Sequence, residues 1–219
     1  MVETTKIISI FIIMISIFGG ILSFYLVSDL PKEQRKSQIK EITSQIVNLI
    51  LFIWAGKIIV NFPVFISDPL AILAYPSDSS AFYVAILLTS LLLFYRSYKG
   101  QLNVLLLIQT MVPIFLLSSF LFEFIQFSWN DQTLSFGYLI LLAILIILYL
   151  LLQRRLKVHA LISTMLIGWA LGIWILTIVQ PFVTVFGYMM APWFIVLFFA
   201  ASLTLLLINK RKSGNFGRN

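Results

Sequence analysis

Seven times along its 219 residues this chain runs apolar for long enough to cross a lipid bilayer, or nearly so. The runs cover about 7–27, 42–62, 80–95, 103–129, 136–153, 160–180 and 191–209. Inside hydrocarbon no water is present to satisfy backbone N–H and C=O groups, so each run must close its own hydrogen bonds as a helix. The expected fold class is therefore all-α: a polytopic integral membrane protein, one seven-helix domain over residues 1–219. The first run is too long for a signal peptide, lacks a small-residue cleavage site and is followed by further spans.

Composition narrows the chemistry. Hydrophobic residues make up 61% and charged residues 11%, against roughly half and a quarter in soluble domains. Mean hydropathy is +1.04. There are no cysteines, which removes disulfides, thiolate metal sites and cysteine nucleophiles. A single histidine, His159, leaves no histidine cluster for a metal. It lies beside RRLK at one end of the sixth run, where an interfacial role is the simpler reading. No glycine-rich phosphate loop is present. The expectation is no metal and no cofactor.

The net charge of +7 belongs to the loops. Lys32, Arg35, Lys36 and Lys40 follow the first run, Arg96 and Lys99 the third, Arg154, Arg155 and Lys157 the fifth, and Lys210, Arg211, Lys212 and Arg218 the seventh. The three intervening loops carry no lysine or arginine. Cytoplasmic loops collect such residues, so the expected topology has the N-terminus outside and the C-terminus in the cytoplasm. That reading needs no nucleic-acid partner. The outer loops are then NFPVFISDPLAILAYPSDS, NDQTLS and PFVTVFGYMMAP, each with aromatic residues suited to the membrane interface. The two prolines of FPVFISDP discourage regular helix, and the apolar residues around them suggest a segment lying in the head-group layer.

Polar residues inside the runs are the candidate site. Lys57 and Glu123 are ionisable, and a charge at the bilayer centre costs roughly 3 kcal/mol on insertion scales. Both fall near the outer ends of their runs, at similar depth. Pairing of the two, snorkelling of Lys57, or a neutral Glu123 hydrogen-bonded to a neighbour would each lower that cost. Gln126, three residues after Glu123, shares its face. Gln109, Ser118, Ser119, Ser163, Thr164, Thr177 and Gln180 add scattered polarity, for which helix packing is the ordinary use. Gly168 and Gly172 have the GxxxG spacing of close helix approach.

The stretch NFPVFISDPL resembles the NFP–spacer–DPL segment of prolipoprotein diacylglyceryl transferases, with Asn61, Phe62, Pro63, Asp68, Pro69 and Leu70 as its sharpest part. The resemblance runs with varying strength from about residue 15 to the end. It implies a seven-helix protein of the bacterial cytoplasmic membrane with the topology given above. It also implies transfer of diacylglycerol from phosphatidylglycerol to the cysteine of a prolipoprotein. The family's catalytic positions are mostly replaced. Tyr83 stands where the family has the histidine of its His-Gly-Gly signature, with Val84 and Ala85 after it. In PIFLLSSFLFEFIQFSW, Phe120 replaces an arginine, Phe122 a glycine, Glu123 and Gln126 two asparagines, and Ser128 a glutamate. In ALGIWILTIVQ, Ile173 and Gln180 replace arginines and Thr177 a glutamate. Lys57 corresponds to an arginine of the second helix after a shift of about one turn.

Guanidinium groups hold phosphate bidentately, so replacing them with Phe and Ile removes that fork. The resemblance then implies a scaffold without the chemistry. The expected function is binding of a membrane phospholipid, or of a lipidated or membrane protein partner, through Lys57, Asn61, Asp68, Tyr83, Glu123, Gln126, Thr177 and Gln180. The alternative is an active diacylglyceryl transferase working through Tyr83, Glu123 and Gln126. A transporter subunit or channel component ranks third, because intramembrane charges are few and no internal repeat is visible.

Overall fold

A computed structural model describes residues 2–28, 30–74, 78–130 and 135–201. The basic tail and residues 202–209 of the seventh apolar run lie outside the described residues. The described chain is almost entirely helical. The elements are α1 (Val2–Val27), α2 (Lys32–Val60), α3 (Phe62–Ser67), α4 (Ala71–Ala74), α5 (Ser79–Tyr98), α6 (Val104–Asn130), α7 (Ser135–Leu152) and α8 (Val158–Val179). A short hairpin, β1 (Thr184–Val185) and β2 (Tyr188–Met189), follows, and then a helix α9 (Pro192–Ala201). Five helices, α1, α2, α5, α6 and α8, are long and apolar enough to cross a membrane; α7 and α9 are apolar but shorter in their described lengths. A multi-pass all-α membrane protein follows.

The chain gathers into two compact units. One consists of Leu30–Leu107, with α2 to α5. The other joins α1 to the described chain from Ile108 onward, so it is interrupted by the first.

In the first of these, α2 and α5 form an antiparallel hairpin. At one end Arg96 grips Glu41 with both nitrogens, Nη1 to Oε1 at 2.5 Å and Nη2 to Oε2 at 3.2 Å. Gln45 Nε2 donates to the same Oε1 at 2.6 Å. Fifteen residues along α2, Gly56 lies directly against the backbone of Ala81; a Cβ there would meet the Ala81 carbonyl oxygen at 2.5 Å. α2 begins ten residues before the apolar run read from the sequence at 42. Pro31 precedes it with φ −54°, already set for helix entry, and KEQRKSQIKE consists mainly of good helix formers.

In the other unit α7 and α8 mesh like offset teeth. Gly137 faces Leu176 and Gln180, Leu141 faces Gly172, and Leu145 faces Gly168. Each step is four residues on both helices, so a leucine fills every notch that a glycine leaves on the facing helix. The GxxxG spacing of Gly168 and Gly172 is thus a packing device. A second close crossing joins α1 to α6. Gly19 lies against the Leu121 side chain, and Gly20 lies against the Ser118 hydroxyl and the Ile114 carbonyl. α6 is the most buried of the five long helices. It carries Pro113 within a helix, which frees one backbone carbonyl and is tolerated where neighbouring helices surround it.

The segment PFVTVFGYMMAP, expected as an interfacial loop, is a hairpin turned into the protein. Val183, Val185 and Met190 are buried, and Met190 N donates to Val183 O at 2.9 Å. Phe186 (φ 51°) and Gly187 (φ 82°) form a two-residue turn with positive φ at both positions, matching the twist of the paired strands. The Phe186 ring packs on Phe115 at 6.2 Å and Phe122 at 5.5 Å, in the middle of α6. Non-helical backbone survives there because protein surrounds it.

Candidate functional site

The candidate residues divide between the two units. Lys57, Asn61, Asp68 and Tyr83 belong to Leu30–Leu107, and Glu123, Gln126, Thr177 and Gln180 to the other.

Asn61 and Asp68 shape their own segment. Asn61 ends α2: its backbone N–H and its Nδ2 both donate to the Lys57 carbonyl, at 3.0 and 3.1 Å. The next residues do form a helix, contrary to the expectation of irregular chain. Pro63 falls in the first turn of α3, where its missing N–H is no loss. Asp68 stops α3, and its Oδ1 accepts from the N–H groups of Leu70 and Ala71 at 3.0 and 3.1 Å. Asx geometry of this kind stabilises a turn without a metal or substrate. Asp78 repeats the device at the start of α5, accepting from Ala81 N at 2.9 Å.

Lys57 lies in the last turn of α2, where the helix dipole favours a cation, and it is only 7% exposed. Its ammonium stands 6.0 Å from the centre of the Trp54 ring, at the outer limit of a cation–π contact. Tyr83 sits in the first turns of α5, half-buried, its ring 6.2 Å edge-on to Phe82.

The other unit holds the denser polarity. Ser119, Glu123 and Gln126 recur on α6 at four- and three-residue steps, which puts them on one face, and all three are buried, Glu123 to 1% exposure. Ser118 adjoins this row on the side of α1. In the same unit Trp169 Nε1 donates to the buried hydroxyl of Tyr138 at 3.0 Å, tying α8 to α7. Trp169 also meets Phe115 at 5.6 Å and Phe198 at 5.1 Å, edge-on in both cases. Gln180 ends α8 beside Gly137, and Thr177 returns its hydroxyl to the Trp174 carbonyl at 2.7 Å. Tyr138 and Trp169 were not singled out from the sequence. Each is one polar atom on a large apolar body, and nothing in the spacing announces that the two meet.

Two of the positions compared with transferase arginines, Phe120 and Ile173, are filled with hydrocarbon. Ile173 is completely buried, and Phe120 stacks on Phe124 with ring centres 6.3 Å apart. Neither α6 nor α8 carries an arginine. The α6 row therefore offers a carboxyl, an amide and hydroxyls, which can give and take hydrogen bonds. It offers no fork for phosphate. Among the described residues no group of three or more His, Cys, Asp or Glu side chains could hold a metal. No family model, no curated protein and no solved structure matches this chain.

Proposed function

We propose that this protein is a non-catalytic membrane protein that binds a phospholipid, or a lipidated or membrane protein partner. It would do so on a prolipoprotein diacylglyceryl transferase-like scaffold of seven spans in the bacterial cytoplasmic membrane, N-terminus outside and C-terminus inside. The observation that carries the reading is the buried row Ser119, Glu123 and Gln126 on α6 together with hydrocarbon at Phe120 and Ile173. Polar groups at membrane depth are costly and are retained where they have a partner. A glycerol or ester group offers hydrogen-bonding atoms of the kind this row can meet, and stabilising a departing phosphate as the diacylglyceryl carbon moved to sulfur would need the guanidinium groups that the row lacks.

The test uses the purified protein in phosphatidylglycerol nanodiscs with a lipobox peptide, beside a transferase whose motif is intact. The expected result is no diacylglyceryl adduct by mass spectrometry, and co-purified lipid or partner whose retention falls on Gln126→Leu. An adduct that depends on the peptide cysteine would replace this reading with the active-transferase one and make Tyr83, Glu123 and Gln126 its mechanistic targets.

A further inference from the structure

We propose that the first three turns of α2 form a head-group site for anionic phospholipid, made by Lys32, Lys36 and Lys40. This surface is separate from the α6 row, and the inference does not rest on the function proposed above. The three lysines are spaced four residues apart, so they follow one another along one side of the helix, and all three are exposed.

Length puts them at the right level. α2 has 29 residues, about 43 Å at 1.5 Å per residue. The hydrocarbon core is about 30 Å thick and takes about 20 of them. The excess of about nine residues is the stretch Lys32–Lys40, because the polar and charged residues of α2 concentrate at that end. The Glu41–Arg96 pair follows at once, its side chains about one quarter exposed, as expected at the boundary between head groups and hydrocarbon.

The neighbouring cations of this unit are already engaged. Arg35 Nη2 donates to Leu30 O at 2.9 Å, Arg96 holds Glu41, and the Lys99 ammonium lies 4.5 Å from the centre of the Tyr95 ring. Among the described residues Lys32, Lys36 and Lys40 enter no ion pair, so their charge is unspent toward the protein. Their nearest acid along α2 apart from Glu41 is Glu33, in the first turn. A row of ammonium groups held at head-group depth matches a layer of phosphate monoanions. A soluble acidic polypeptide would have to reach the same groups through that layer.

The full-length protein in a neutral detergent is titrated with phosphatidylglycerol or phosphatidylcholine, and thermal unfolding is followed. Phosphatidylglycerol is expected to raise the midpoint well beyond any rise that phosphatidylcholine gives. The triple variant Lys32→Gln, Lys36→Gln, Lys40→Gln should unfold like the wild type without lipid. It should need on the order of 100-fold more phosphatidylglycerol for the same rise, about fivefold per lost cation. The triple Lys→Arg variant should keep the response, and 0.5 M salt should suppress it. Equal stabilisation by both lipids would overturn the proposal. So would an unchanged response in the triple Gln variant, including the case in which that variant loses only the binding of a poly-glutamate peptide.

Discussion

Replacing Gly20 by alanine tests whether α1 and α6 are held by direct backbone approach. A Cβ at this position would meet the Ser118 hydroxyl and the Ile114 carbonyl oxygen, the latter at 2.7 Å, where ordinary contact begins near 3.4 Å. The serine can rotate away, but the carbonyl is fixed in the α6 ladder. The helices must therefore part by about 0.7 Å, which on a 6–12 potential removes a quarter to a half of each contact's attraction along the crossing. Overpacking of this kind costs about 1–3 kcal/mol, and the rigid obstacle puts Gly20→Ala near the upper end. Gly172→Ala is the comparison. There the nearest obstruction is the Leu141 side chain, so Leu141→Ala should restore much of the loss, whereas Ser118→Gly should restore little of Gly20→Ala. Unfolding in nanodiscs, followed by tryptophan fluorescence against denaturant, reads both pairs. A Gly20→Ala protein within about 0.5 kcal/mol of wild type, the usual scatter of a neutral change, would refute the close crossing. Full rescue by Ser118→Gly would refute the part assigned to the Ile114 carbonyl.

Tyr138→Phe leaves the Trp169 N–H buried without its acceptor and should cost about 1–3 kcal/mol; Trp169→Phe combined with it should cost less than the sum of the single losses, by thermal melts of all three variants. Gly187→Ala has open space around the new Cβ but φ 82°, so it should cost about 1–2 kcal/mol from the backbone alone, and Gly187→Asn should recover part of it. Breaking the partly exposed Glu41–Arg96 pair with Arg96→Ala should cost no more than about 1 kcal/mol after allowance for solvent screening, and the coupling in a Glu41→Gln, Arg96→Ala cycle should shrink in high salt.

The apolar runs were legible because lipid permits only one way to satisfy a buried backbone, so a run of hydrophobic residues reads as a helix without help from tertiary contacts. The same logic exposed Glu123 and Gln126 on one face of α6, and the Gly168–Gly172 notch. Other features depended on pairing across the chain. Gly19 and Gly20 look like neutral members of an apolar run until Ser118 and Leu121 are seen against them. Tyr138 and Trp169 meet over a separation of 31 residues, which no local spacing encodes. The hairpin escaped because its turn is Phe-Gly rather than Asn-Gly or Asp-Gly, and a phenylalanine with positive φ is stabilised by ring contacts made elsewhere. The N-terminal extension of α2 was hidden by its charge: KEQRKSQIKE looks like a cytoplasmic loop by composition, yet its residues are strong helix formers. Asn61 and Asp68 drew attention as a motif, and their hydrogen bonds are those of a chain changing direction twice.

The interruption of one unit by the other also sets a schedule for biosynthesis. About 100 residues separate Gly20 from Ser118, so at about 5–20 residues per second α1 exists for roughly 5–20 s before its partner on α6 is made. During that interval the α2–α5 hairpin is complete and can close on itself, while the paired glycines of α1 face lipid or the insertion machinery. A nascent chain stopped after Leu107 would leave α1 an orphan helix, open to quality control, and a chain extended through α6 would retire it from surveillance.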